Sequence, residues 1–367
     1  MLQPTIHPTA QELGLASGEV DPAVHIEAAA NAAARCWRLD QHQPDTQAAR
    51  DLRRVDPRQF DIVFIHRLHP VWWTGWTDPN RTIVDLDDLP SHHDRQVAQQ
   101  SEVKRRASAW QQYLRIRAGE RRLPRWFRYL LVCSDPDRAE FNRPNVITVP
   151  NVFTPRLAMN TLQPNPDSRT ILCLGTLAFW PNVNGAAWFV ANVLPRLRAN
   201  DPNVTLTVAG LTPPNRTGDW SWVDQPGVRF LGTVDDVDAC YEDAAMTICP
   251  LRYGRGTRIR IVESLAFGLP VVSTPIGAHG LPMNESHGLY RCKDAEAFAD
   301  ACLKLLANPG ARMQAAQQGR AAVVAHFSPQ AAAATLHQLC QSIIGDPTAT
   351  NRQASTPASS VGVSSGE

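Results

Sequence analysis

The residues with the most chemical potential in this sequence lie together between Pro250 and Leu281, in PLRYGRGTRIRIVESLAFGLPVVSTPIGAHGL. An apolar run ending at Cys249 leads into a loop carrying Gly254 and Gly256, and a helical pattern opens near Thr257. A helix start presents unpaired backbone N–H groups and the positive end of the helix dipole, which together suit a phosphate. Gly256 lets the backbone approach such an anion closely. Arg258 and Arg260 stand in the first turn, where the dipole alone favours Asp or Glu; an anionic ligand shared with the helix accounts for cations there. Glu263, at i+3 from Arg260, is placed to accept hydrogen bonds from a ribose diol, as an acidic residue does in dinucleotide folds. Each residue also has a plainer use: a tight turn for the glycines, a helical ion pair for Arg260 and Glu263, solvation for Arg258. The ordered combination of strand, glycine loop, arginines, acid and then PVVST favours the chemical reading.

Such a loop needs strands that end beside helix starts. From Thr170 the pattern supplies them: ILCLG, VTLTVAG, VRFLG, MTICPL and PVVST read as strands, with helices at GAAWFVANVLPRLRA, VDACYEDA and RIRIVESLAFG between them. Strands alternating with helices give a doubly wound α/β domain whose ligands bind at the carboxyl ends of the strands. Further helices are expected at Asp294–Leu306, Pro309–His326 and Pro329–Ile344. Upstream, FDIVFIH, RTIVDLD, YLLVCS and NVITVP are continuous rather than alternating apolar runs, which fits parallel strands covered on both faces. His92–Phe127 reads as one or two helices, and His25–Leu39 as another.

At 367 residues the chain suits two domains better than one. A net charge of +1 gives no basic field to hold nucleic acid. No apolar run is long enough to span a bilayer, and no secretory signal opens the sequence, so a cytoplasmic protein is expected. The eight cysteines form no CxxC pair and read as buried thiols. The eleven histidines show no metal-ligand spacing. A dehydrogenase would need G-x-G-x-x-G after a strand, and the chain has none.

The run GTRIRIVESLAFGLPVVSTPIGAHGL resembles the nucleotide-sugar signature of the retaining glycosyltransferases of family 4, also described as glycosyl transferases group 1. The resemblance extends through LGTLAFWPNVNGAAWFVANVLPRL, VRFLGTVDDVDACYEDAAMTICPL, VCSDPDRAEF and VITVPN. It implies an α/β, GT-B architecture: two Rossmann-like, doubly wound parallel-sheet domains facing a cleft. Residues 1–150 would form the acceptor-side domain and 151–327 the nucleotide-sugar domain. Residues 328–345 would form a helix packing back toward the first domain, and 346–367 a disordered Ser/Thr/Pro-rich tail. Position by position, the resemblance gives the donor diphosphate to Gly256, Thr257, Arg258 and Arg260, and the ribose to Glu263. It gives the base to the strand end at Gly232, and a cleft-facing loop to Gly175 and Thr176. Arg258 and Arg260 would be the catalytic pair, stabilising charge on the departing diphosphate. No metal and no cofactor beyond the nucleotide-sugar co-substrate are implied. Family members often carry a glutamate where this chain has Arg255.

The N-terminal half fits the family less well, with no apolar strand and glycine loop before Phe60. A catalytically degenerate nucleotide-sugar binder or partner subunit is therefore the alternative to a hexosyltransferase acting on a polysaccharide, glycolipid or related acceptor. In RTIVDLDDLPS, Asp85-Leu86-Asp87 superficially matches a DxD metal motif; a cleft-facing role for Asp87 or Asp88, or capping of the next helix, is the other reading. Between Glu102 and Arg128 nine basic residues face two acids, interleaved with Trp110, Tyr113, Trp126 and Phe127. Such a stretch suits peripheral contact with an anionic membrane, or is a solvated face over packed aromatics. The Trp72–Trp76 cluster either stacks on sugar or fills a core.

Overall fold

The computed structural model of the chain describes residues 47–68, 70–71, 76, 78–87, 89–100, 103–154, 165–215, 218–254 and 256–345. The helix expected at His25–Leu39, the tail 346–367, Trp72, Trp73, Asp88 and Arg255 lie outside the described residues.

After helix α1 (Gln47–Arg54), β1 (Val63–His66) and β2 (Asp78–Asp85) open the first sheet. Helices α2 (Pro90–Gln100) and α3 (Val103–Glu120) form a hairpin before β3 (Phe127–Val132), short helix α4 (Asp135–Ala139) and β4 (Val146–Thr148). These four strands pair in chain order, all parallel. Their apolar residues divide by the period-two rule. Val84, Leu130 and Val132 face a core with Trp76 and Phe141, while Ile83 and Leu131 face the opposite side. Trp76 is buried, its indole N–H bonded to Thr82 Oγ1 at 3.0 Å, so this tryptophan fills a core.

The second sheet begins at β5 (Thr170–Leu174), followed by α5 (Trp180–Asn192) and α6 (Leu194–Asn200). One helix was expected here from Gly185 onward. The structure starts it at Trp180 and breaks it at Val193, because Pro195 lacks the N–H that a continuous helix would use and disfavours helical backbone before it. Next come β6 (Thr205–Ala209), β7 (Val228–Gly232), α7 (Asp238–Glu242), β8 (Ala244–Cys249), α8 (Ile259–Ala266) and β9 (Val271–Ser273). A strand not anticipated from the sequence, β10 (Leu289–Arg291), adds to the edge. Helices α9 (Ala295–Ala307), α10 (Pro309–Phe327) and α11 (Pro329–Ile344) follow. The order is β10-β9-β8-β5-β6-β7, again all parallel. It runs outward both ways from β5, which puts the switch point, and the crevice a ligand would use, between β5 and β8. Helices α5, α6 and α9 cover one face and α8 and α10 the other.

Helix α11 leaves the second sheet and packs on the first. Leu336, Leu339, Cys340 and Ile343 lie against Ile83 and Leu131, and the Tyr129 and Ser342 hydroxyls pair at 2.8 Å. Seven cysteines, Cys133 to Cys340, are buried and none forms a disulfide. No helix among the described residues is long and apolar enough to cross a membrane.

Candidate functional site

Glycines close the carboxyl ends of β5, β6 and β7, and they let three backbones lie against each other. Gly175 N–H donates to Ala209 O at 3.1 Å, and Gly210 N–H donates to Gly232 O at 2.7 Å. Gly210 has φ of 148°, and a Cβ there would collide with the carbonyl of Gly175. At Gly175 itself a Cβ would meet the Arg260 guanidinium. The Arg260 side chain thus lies flat over the β5 exit, where its Nη1 donates to Leu174 O at 2.7 Å. The adjacent loop is held by Asn182, whose amide donates to Thr176 O at 2.8 Å. Gly175, Thr176 and Arg260 therefore meet at one point, and Gly232 stands two strands away across Gly210. Cys173, just below, is no nucleophile: burial pushes its thiol up to about 12 even with Arg260 nearby.

The second part of the site is the loop between β8 and α8. Gly256 is buried with φ of 92°, a conformation that glycine adopts without strain. Gly254, with φ of 110°, lies so close to the Arg258 guanidinium that a side chain would strike it. Arg258 is the N-cap residue of α8 and provides no side-chain capping bond, and the first turn carries no acid. The opening amides of α8 and the two arginines are thus disposed around one helix start. Glu263 is half-buried further along α8.

Across from this loop stands the end of β3. Thr257 Oγ1 donates to Cys133 O at 3.5 Å, and a Cβ on Gly280 would come 2.8 Å from that of Ser134. The two sheets therefore touch beside the loop between β8 and α8. Ser134 caps α4 and its hydroxyl donates to Asp137 Oδ2 at 2.5 Å. His279, from the loop after β9, reaches within 4.0 Å of Asp137 Oδ1. His92 Nε2 lies 2.8 Å from Glu140 Oε1, while Arg117 engages Glu140 Oε2. Histidine spacing gave no sign of this cluster, yet His92, Asp137 and Glu140 bring ligand atoms within 4.8 Å of one another. They could hold a cation if Arg117 were drawn off Glu140.

Of the aspartates after β2, Asp85 Oδ2 pairs with His66 at 3.2 Å and Asp85 Oδ1 accepts from the Asp87 amide at 3.1 Å. Asp87 binds Arg67 at 2.9 Å and Asn151 at 3.3 Å. Arg67 after β1 and Asp87 after β2 both have positive φ, 63° and 58°, so these two strand exits are conformationally strained. The two carboxylates are engaged with different neighbours rather than converging as a DxD metal pair. Asn182, Gly210 and Ser134 are residues to which spacing gave no role, whereas His279 was a weak cleft candidate. Asn182 stands in the run LGTLAFWPNVNGAAWFVANVLPRL, the available signal, whereas Gly210 and Ser134 required the fold.

Residues 168–308 match the family model for glycosyl transferases group 1. Over that segment the chain is similar to a glycosyl transferases group 1 domain. Around this domain the fold is GT-B. A sucrose-phosphate synthase from Thermosynechococcus elongatus superposes with a TM-score of 0.58 at 18% identity, covering 78% of this chain and 74% of that one. WaaG, a glycosyltransferase involved in lipopolysaccharide biosynthesis, gives 0.53 at 19% identity over 75% and 78%. HepE of Anabaena, in complex with UDP and glucose, gives 0.55 at 13% identity over 78% and 79%. In sequence, the chain is 27% identical over 188 residues to a glycogen synthase of Mycobacterium tuberculosis, 48% of this chain and 43% of that protein. It is 25% identical over 135 residues to an uncharacterized 44.6 kDa protein in the cps region of Klebsiella pneumoniae, 35% of each chain. The match thus spans less than half the length of these curated relatives.

Proposed function

We propose that the chain is a retaining glycosyltransferase that moves a hexosyl group from a UDP- or GDP-sugar to a polysaccharide, glycolipid or related acceptor. The observation that carries this reading is the start of α8: an arginine at its N-cap, a second arginine in its first turn reaching the β5 exit beside the switch point, and no acid there. The nucleotide sugar is a co-substrate, with its diphosphate at Gly256, Thr257, Arg258 and Arg260, its ribose at Glu263, and its base toward Gly232. As the bond from the sugar's anomeric carbon to the diphosphate oxygen lengthens, negative charge gathers on the leaving group. The α8 amides and the guanidinium groups of Arg258 and Arg260 stabilise that charge without reorganising. Arg260, fixed by the Leu174 carbonyl, keeps further N–H donors for the anion. The complex of HepE with UDP and glucose supports a nucleotide and sugar in this type of fold.

Calorimetric titration with UDP-, GDP- and ADP-sugars, with slow hydrolysis followed in the same cell, tests the reading. One donor should bind and turn over, and Arg258→Ala should abolish both while the variant remains folded. Unchanged affinity in Arg258→Ala would remove the phosphate site. Tight binding without turnover, acceptors included, would make the chain a degenerate nucleotide-sugar binder instead.

We also propose peripheral contact with an anionic membrane through α3. Arg105, Arg115, Arg121, Arg122 and Arg125 are exposed on or just after this helix, together with Leu114 at 61% exposure, while its half-buried Trp110 and Tyr113 rings pack edge to face at 5.4 Å. Cosedimentation with phosphatidylglycerol vesicles, lost in about 0.5 M salt, ample to screen surface charge, and absent with phosphatidylcholine, is the expected outcome.

A further inference from the structure

Away from the donor crevice, α5 and the segment from Gly218 to Gln225 enclose a groove of about 570 Å³. It runs along one stripe of α5, Trp180, Asn184, Ala187 and Ala191, and is walled opposite by Ser221, Trp222 and Gln225. From Trp180 to Ala191 the helix advances about 16 Å. Two of the lining residues, Asn184 and Trp222, each carry a buried polar atom, Oδ1 and Nε1, without a hydrogen-bond partner among the described residues. Buried polar groups are ordinarily satisfied, so an unpaired acceptor and an unpaired donor in the walls of one groove are a signal. Trp222 is 6% exposed, whereas Trp180 at the mouth is 51% exposed, an unusual position for so large a ring. The Trp180 ring packs on Tyr253 with centroids 5.0 Å apart, and Tyr253 directly precedes Gly254 of the donor loop. The groove is therefore continuous with the rim of the proposed active site.

The lining decides what fits. No Lys or Arg stands among the described residues that line it, which disfavours a phosphate-bearing ligand. Amide, hydroxyl and carboxylate groups from Asn184, Gln225, Ser221 and Asp219 alternate with the aromatic and alanine surface, which disfavours an acyl chain. Flat rings beside scattered donors and acceptors match a neutral sugar, whose ring faces are apolar and whose edges carry hydroxyls. We propose that this groove is a second carbohydrate site, holding several residues of an uncharged glycan chain outside the cleft. The class of ligand rests on the transferase reading, for which a growing glycan is the natural occupant.

The test is saturation-transfer NMR and calorimetry of the full chain with maltohexaose, cellohexaose and isomaltohexaose, without nucleotide present. At least one oligosaccharide should bind. Trp180→Ala, which removes the platform, and Ala187→Trp, which fills the groove, should each weaken it about tenfold, the loss expected for a central aromatic contact. Both variants should keep wild-type thermal unfolding and, in a separate titration, wild-type donor affinity. Binding of none of the three, or binding that neither variant alters, would overturn the site. Glycan binding together with failure of every nucleotide sugar would sink the transferase reading and leave the groove standing.

Discussion

Gly210 and Glu263 sit at opposite ends of what a single residue contributes here. At Gly210 the requirement is for absence: φ of 148° and the Gly175 carbonyl leave no space for a methyl group. Gly210→Ala should lower stability by about 3 kcal/mol or more, combining backbone strain with overpacking, as measured by denaturant unfolding. A loss below about 1 kcal/mol, the ordinary size of a substitution, would mean that the strand ends have slack. At Glu263 the requirement is chemical. Glu263→Ala should weaken nucleotide affinity by roughly 1–3 kcal/mol, the cost of charged hydrogen bonds left unmade, with unfolding little changed. An unaltered dissociation constant would take the ribose away from this residue.

Among the elements, the α2–α3 hairpin carries the clearest pH dependence. Glu120, at the end of α3, is fully buried, accepting from the Ser91 amide at 2.7 Å and facing Arg117 at 3.5 Å. Burial pushes its carboxyl above the usual 4.5, with Ser91 and Arg117 only partly offsetting the effect. A raised acid favours the protonated form in the fold, so its contribution to stability is greatest below 4.5 and declines as pH rises through the window between 4.5 and the folded value. Glu120→Gln keeps an acceptor for Ser91 and carries no buried charge. Its thermal unfolding temperature should exceed that of the wild type at pH 7 and lose most of that advantage at pH 4, both chosen about the glutamate range. The opposite ordering at pH 7 would mean that Arg117 stabilises the ionised carboxylate more than burial penalises it. Most elements were legible because apolar runs and caps are local, and α9, α10 and α11 all begin at side-chain caps, Asp294, Asn308 and Ser328. The break at Val193 and the edge strand β10 were not. The first turns on backbone sterics ahead of Pro195, and the second exists only because β9 offers it a partner.

At the scale of the whole molecule, the last helix ties the two sheets together. Ile343 is 1% exposed and packs, with Leu336 and Leu339, against Ile83 and Leu131 of the first sheet, although α11 follows the second sheet in sequence. Nearby, the Phe153 amide donates to Phe327 O at 2.7 Å, where the chain crosses between the sheets. Ile343→Ala should cost about 2–5 kcal/mol, and the loss should fall on the unfolding step that melts the first sheet. Calorimetry that shows the shift in a step stabilised by nucleotide would instead place this contact within the donor-binding unit.

The sequence by itself determined the parallel α/β architecture, the positions of nearly all strands in the second sheet, and the glycine and arginine loop before α8. Each of these is written in local patterns: apolar runs, turn residues and a helix start with cations where acids belong. The tertiary structure decided what those residues meet. It laid Arg260 over Gly175, brought Thr257 and Gly280 against the end of β3, and set His92 of α2 beside Asp137 and Glu140 of α4 and its C-cap. It also opened the groove between Trp180 and Trp222, which stand far apart in the sequence. Such contacts depend on the strand order around β5 and on how closely backbones approach, and neither quantity is carried by any one stretch of residues.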